Sequence, residues 1–274
     1  MALGNTSIRV LVSIVAIPLL VLLAYVGGVY FFSFVLIISG FSFYEFAVMS
    51  KLKGANVNVN FGLVGLIIII LNSYRNIFNT IHILILFVII LVAFELFRKN
   101  GSAILNLSTT LLGLFYFGIF GSTLIAIREF YPNLEGLYQQ GGYLIISIFA
   151  TIWICDSAAF FGGTALGKHK LFPRVSPKKT WEGAVFGFVF AILAMLLARI
   201  LVLDFLSLKD ALMLGLIIGL FGQIGDLVES LLKRDAQIKD SSNLIPGHGG
   251  IFDRFDSLFF SAPIIYLYLT YLAG

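Results

Sequence analysis

Cysteine is almost missing from this chain. Cys155 is the only one in 274 residues, so no intrachain disulfide can form and a cysteine-based metal site is excluded. Its expected place is in the packing of an apolar segment. Charge is also scarce, with Asp, Glu, Lys and Arg together at 12%, against about a quarter in soluble globular domains. Histidine occurs three times and tryptophan twice. With 59% hydrophobic residues and a mean hydropathy of +1.02, these shortages exclude an ordinary soluble globule. The 28 Phe and 11 Tyr are then lipid contacts, core and interfacial belt rather than base-stacking platforms, so no nucleic-acid partner is expected.

What is present is a series of apolar runs. Nine windows, near 8–26, 29–49, 60–74, 78–97, 104–127, 143–163, 181–203, 211–232 and 254–273, approach the length needed to cross a hydrocarbon core of about 30 Å at 1.5 Å per residue. The third is short and the eighth contains carboxylates. The expected fold class is all-α, a polytopic integral membrane protein with about nine transmembrane helices. No small-residue cleavage site follows the first run, which is read as a retained span.

Short cytoplasmic loops are enriched in Lys and Arg, which orients the chain. With the N-terminus inside, 14 of the 18 basic residues lie on the cytoplasmic side, and only Arg75, Arg128, Arg199 and Lys209 fall outside. The expected topology is therefore N-in/C-out, with cytoplasmic loops at 164–180 and 233–253. Composition shifts along the chain, because ten of the fourteen acidic residues follow Ile152. Residues 1–142 read as a scaffold of about five helices and 143–274 as the functional bundle. In the scaffold, Glu45 and Glu95 are expected at the interface, and His82 in packing.

Two polar islands interrupt the second half. In the eighth window Asp226, Glu229, Ser230 and Lys233 recur at i, i+3, i+4 and i+7, forming one helical face. Two carboxylates one turn apart suit Mg²⁺, which takes one or two carboxylates plus substrate phosphates. An internal Glu229–Lys233 ion pair is the competing reading. Beyond Arg234 the turn formers of SSNLIPGHGG mark a loop, in which Gly247, Gly249 and Gly250 let backbone amides approach an anion and His248 can donate to a phosphate. Asp253, Arg254 and Asp256 follow at the start of the ninth window. A helix dipole alone explains acids there, and that role suits Asp256 better than Asp253.

The other island, Gly167 to Gly183, is basic. Ser176 and Pro177 are expected to cap and start a helix, with Lys178 and Lys179 in its first turn, where an anion would offset the opposing dipole. The positive-inside signal and attraction to anionic lipids explain the same residues generically. His169 is expected at the surface. Asp156 and Glu182 are further candidates for an interior polar network.

Taken in order, Ser230, Lys233-Arg234, Lys239-Asp240, Ser242, Ile245-Pro246, His248-Gly249-Gly250 and Asp253-Arg254-Phe255-Asp256 resemble the signature of phosphatidate cytidylyltransferases, also called CDP-diacylglycerol synthases. There is no departure across the 27 positions from Ser230 to Asp256. The segment SPKKTWEG, Ser176 to Gly183, is also similar to that family. The resemblance implies an integral membrane enzyme joining CTP and phosphatidate into CDP-diacylglycerol and pyrophosphate with a divalent metal. On this reading Asp226 and Asp253 hold Mg²⁺, with Glu229 and Asp256 as further ligand candidates and room for a second cation. Lys233, Arg234, His248 and Arg254 complete the catalytic set. Lys178, Lys179, Arg174, Ser176, Lys239, Asp240, Gly249 and Gly250 bind substrate. Phosphatidate would enter from the lipid and CTP from the cytoplasm, in what would be a bacterial inner membrane, and the apolar first half would suit a homodimer.

Two rivals remain open. A CTP-using polyprenol or dolichol kinase would release CDP instead of pyrophosphate. A cation-coupled transporter would use Asp156, Glu182, Asp226 and Glu229 as an ion path.

Overall fold

The computed structural model describes residues 5–131, 134, 136–242, 244–245 and 249–273, with side chains from Val12 onward. Among these residues nine helical segments occur: α1 Asn5–Val26, α2 Gly28–Lys51, α3 Val59–Arg75, α4 Thr80–Glu95, α5 Ala103–Arg128, α6 Tyr138–Leu166, α7 Trp181–Leu201, α8 Leu208–Asp235 and α9 Phe252–Tyr271. A short antiparallel hairpin, β1 Lys170–Phe172 and β2 Ser176–Thr180, pairs Lys170 with Thr180 and Phe172 with Ser176. The helices fall on the nine apolar windows. Five of them, α2, α5, α6, α7 and α8, are long and apolar enough to cross a membrane, and α3, α4 and the Val12–Val26 part of α1 are shorter apolar helices. The chain is a helical integral membrane protein.

Backbone groups at helix starts need partners that hydrocarbon cannot supply, and small polar side chains provide them. Asn58 accepts from Phe61 N, Asn79 from Ile81 N and Ser207 from Asp210 N, at 3.1–3.3 Å. One expected helix start is corrected. Ser176 and Pro177 lie in β2, not at a helix N-terminus, and α7 begins at Trp181 with Thr180 as its cap, accepting from Gly183 N at 3.2 Å. Proline suits an edge strand as well as a helix start, and here pairing with β1 decides.

The chain forms two compact units. One comprises Met1–Leu20, Gly28–Ala126 and Lys233–Phe255; the other comprises Val21–Gly27, Ile127–Leu232 and Asp256–Gly274. In the first, Phe43, Phe46, Phe87 and Phe117 form the core, and the missing side chains of Gly62, Gly65 and Gly113 leave space for the Phe43 and Phe87 rings. Glu95 is buried there, accepting from Asn106 Nδ2 at 2.7 Å and Arg98 at 3.0 Å.

In the second unit α6, α7 and α8 pack through small residues. A Cβ on Gly183 would lie 2.6 Å from Ala159 O, and one on Gly187 2.9 Å from Cys155 O, so both glycines permit a close α6–α7 approach. Cys155 is buried in this contact, as expected of a packing residue. Arg128 is fully buried and caps α1, donating to Ala24 O at 2.6 Å and Tyr25 O at 2.8 Å, so it is no exposed loop charge.

Candidate active site

In the second unit, α8 brings Asp226 and Glu229 to one face, as their i, i+3 spacing requires, and α9 adds Asp256. Oxygens of the three carboxylates lie within 4.8 Å of one another. Glu229 and Asp256 are buried and Asp226 half-buried. The approach of α9 depends on Gly225, where a Cβ would lie 2.7 Å from Phe260 Cβ and 2.8 Å from Asp256 O. A wide turn at Ile218–Gly222 precedes the acids. Gln223 Nε2 ties that stretch to its neighbours by donating to Gly219 O at 2.6 Å and Ala184 O at 3.0 Å.

Three clustered acids with low exposure repel one another and need positive charge. Lys179 supplies part of it. Its Nζ forms an ion pair with Asp226 Oδ2. Lys179 is partly buried by this pair whereas its neighbour Lys178 is exposed, so the hairpin distinguishes two adjacent lysines. Glu182 secures the base of the hairpin, accepting from His169 N at 3.2 Å with His169 Nδ1 at 2.6 Å. Arg174 is exposed and Ser176 half-exposed.

All-oxygen donors at this spacing fit a hard divalent cation. Octahedral Mg²⁺, with bonds of about 2.1 Å, places opposite ligands about 4.2 Å apart. The trio could therefore hold a metal ion.

In the first unit, a different carboxylate pair organises the Gly-rich loop. Asp253 Oδ1 accepts from Lys233 Nζ at 2.6 Å, and Oδ2 accepts from Ser241 N at 2.9 Å and Gly250 N at 2.8 Å. Lys233 is thus engaged with Asp253. Gly249 adopts φ +83°, a conformation that favours glycine, and Ile245 N donates to Gly249 O at 2.9 Å to close the turn. Arg234, Lys239, Asp240 and Arg254 are exposed, with Arg234 donating to Ile238 O at 3.1 Å. His248, expected to donate to phosphate, lies outside the described residues, as does Gly247.

Sequence reasoning missed Glu45. It is 3% exposed and accepts from Ser242 Oγ, Ile251 N, Ser241 Oγ and Phe252 N at 2.5, 3.0, 2.8 and 2.9 Å. The available signal was an acid within an apolar helix, which rarely persists there without a partner.

Residues 7–272 match the model of the cytidylyltransferase family. The chain is 34% identical to the phosphatidate cytidylyltransferase of Bacillus subtilis (strain 168) over 267 residues, 96% of this chain and 97% of that protein. It is 33% identical to the phosphatidate cytidylyltransferase of Staphylococcus aureus (strain COL) over 96% of this chain and 98% of that one. With nearly every residue covered, helices and polar loops alike, the chain belongs to the cytidylyltransferase family.

Proposed function

We propose that the protein is a phosphatidate cytidylyltransferase, converting CTP and phosphatidate to CDP-diacylglycerol and pyrophosphate. The observation that carries this reading is similarity to phosphatidate cytidylyltransferases across 96% of the chain. The acid trio beside an inward lysine supports it chemically. An oxygen of the lipid phosphate attacks the α-phosphorus of CTP, the new P–O bond forms as the α–β bridging P–O bond breaks, and pyrophosphate leaves. The nucleophile is ionised near neutral pH, so the reaction requires charge neutralisation and alignment of two anions rather than a general base.

Asp226, Glu229 and Asp256 are the residues that would hold Mg²⁺, with room in the acidic cluster for a second cation. A bound divalent ion supplies neutralisation of triphosphate and pyrophosphate charge. Lys179 balances Asp226 and orients it. The exposed Arg234, Lys239 and Arg254 meet phosphate oxygens, the Gly249-Gly250 turn offers close backbone approach, and His248 and Asp240 retain the substrate-side roles expected from the sequence. Asp253 acts chiefly through Lys233 and the loop. Arg174, Ser176 and Lys178 form a basic wall that raises the local concentration of anionic substrates. The nine helices are arranged N-in/C-out in a bacterial inner membrane, so the polar loops face cytoplasmic CTP and the acyl chains stay in lipid. The apolar first half is the scaffold, and a face of it would pair two copies.

The test supplies detergent-purified protein with CTP, phosphatidate and Mg²⁺, omitting each in turn, and follows pyrophosphate and lipid product. Equimolar CDP-diacylglycerol and pyrophosphate, dependent on all three, are expected. Release of CDP would point to a lipid kinase, and a folded, lipid-supplied protein without turnover would return a transporter to consideration.

A further inference from the structure

Glu45 belongs to α2, far in sequence from the signature segment, yet it grips both ends of that segment's loop. Oε1 accepts from Ser242 Oγ at 2.5 Å and Ile251 N at 3.0 Å; Oε2 accepts from Ser241 Oγ at 2.8 Å and Phe252 N at 2.9 Å. Both oxygens therefore receive one hydroxyl and one amide. The hydroxyls lie where the loop leaves toward Asn243, and the amides where it enters α9. A carboxylate that joins these two places closes the loop at its neck.

The surroundings are shaped for that carboxylate. A Cβ on Gly250 would lie 2.0 Å from Ser241 Oγ and 2.5 Å from Glu45 Oε2, so a side chain there would push the hydroxyl and the carboxylate apart. Phe252, fully buried, packs edge-on against Phe117 at 4.9 Å and Tyr116 at 5.7 Å between ring centres, and Phe255 meets Phe34 at 5.7 Å. Glu45 also accepts from amides at the α9 N-terminus, where negative charge is favoured and two donors would otherwise lack helical acceptors. Alternative uses of Glu45 are weaker, because an acid taking four hydrogen bonds has little capacity for a metal ion or substrate.

We propose that Glu45 is a positioning residue for the transfer reaction: by bonding Ser241, Ser242, Ile251 and Phe252 it holds the Gly249-Gly250 turn and the Lys233–Asp253 pair in their working arrangement. The catalytic part of this inference rests on the assignment of the loop to CTP phosphates. Holding the turn before substrate arrives removes an ordering cost from the reaction.

The experiment compares wild type with Glu45→Gln, Glu45→Asp and Ser242→Ala, each purified as full chain, by hydrogen exchange of the backbone and by steady-state kinetics. Gln keeps the shape but turns an amide group toward two donors. Asp keeps the charge and is expected to restore part of the lost activity. Ser242→Ala removes one bond and keeps the test decisive if Glu45→Gln does not fold. Faster exchange at Ser241 and Gly250–Phe252 is expected, with kcat/KM for CTP down by up to about 10²-fold and KM for phosphatidate unchanged. Unchanged exchange in Ser242→Ala and in folded Glu45→Gln overturns the inference. Faster exchange with unaltered CTP kinetics also overturns it. Failure of the functional reading is separately visible, because wild type itself would then make no CDP-diacylglycerol while the exchange comparison still reports on the loop.

Discussion

Glu45 and Asp253 share one hydroxyl group. Ser241 Oγ lies 2.8 Å from Glu45 Oε2 and 2.9 Å from Asp253 Oδ2, and it has one proton to donate. Each carboxylate compensates with main-chain donors, Phe252 N for Glu45 and Gly250 N for Asp253. Ser241→Ala leaves two acids facing each other without that proton. The expected loss is about 1–3 kcal/mol of stability. A thermal unfolding midpoint in detergent equal to that of wild type would show that the hydroxyl contributes nothing.

The acid trio predicts metal dependence. Asp226→Asn, Glu229→Gln and Asp256→Asn each remove a candidate oxygen ligand, whereas Asp235→Asn alters an exposed surface acid. Loss of several kcal/mol of transition-state stabilisation corresponds to about 10²–10³-fold in kcat for the first three. Their half-saturating Mg²⁺ concentration should rise, and a chelator should abolish wild-type turnover. Variants that lose rate at unchanged Mg²⁺ dependence would place these acids outside the metal shell.

Adjacent lysines should behave differently. Lys179 pairs with Asp226, while Lys178 projects to solvent from the same strand. Lys179→Met is expected to lower kcat/KM about 10²-fold, because it removes a charge facing the acid trio. Lys178→Met should cost less than about tenfold and do so mainly at low salt, since exposed charges are screened over about 8–10 Å. Rates measured for both variants across a salt series decide this. Equal losses would mean that the difference in exposure does not separate their roles.

Gly225 tests the contact between α8 and α9 that assembles the trio. Ala there meets Phe260 and the Asp256 carbonyl at van der Waals overlap. Overpacking of this kind costs about 1–3 kcal/mol. Gly225→Ala should lower the unfolding midpoint and weaken Mg²⁺ activation together, because Asp256 is displaced. A Gly225→Ala protein with wild-type Mg²⁺ response would show that the helices part without disturbing the acids.

Several features were legible in the residue order because they depend on local periodicity. The nine apolar windows became nine helices among the described residues, and the i, i+3 spacing of Asp226 and Glu229 put both on one face. Asp256 was less legible. A helix start explains an acid generically, and only the α8–α9 contact shows it joining Asp226 and Glu229. The SPKK segment misled for a similar reason, since Ser-Pro suits both a helix start and a strand, and the pairing of β1 with β2 selected the strand.

By itself, the sequence determined the membrane class, the helical content and the family, because apolar run length, scarcity of charge and a long spaced signature are all properties read along the chain. Tertiary structure decided the partners. Asp253 faces Lys233, Lys179 faces Asp226, and Glu45 reaches the amides of Ile251 and Phe252, more than two hundred positions away in the chain. Such pairings arise because buried charge must find a donor or a counter-charge wherever packing places one, and that distance is invisible to sequence spacing.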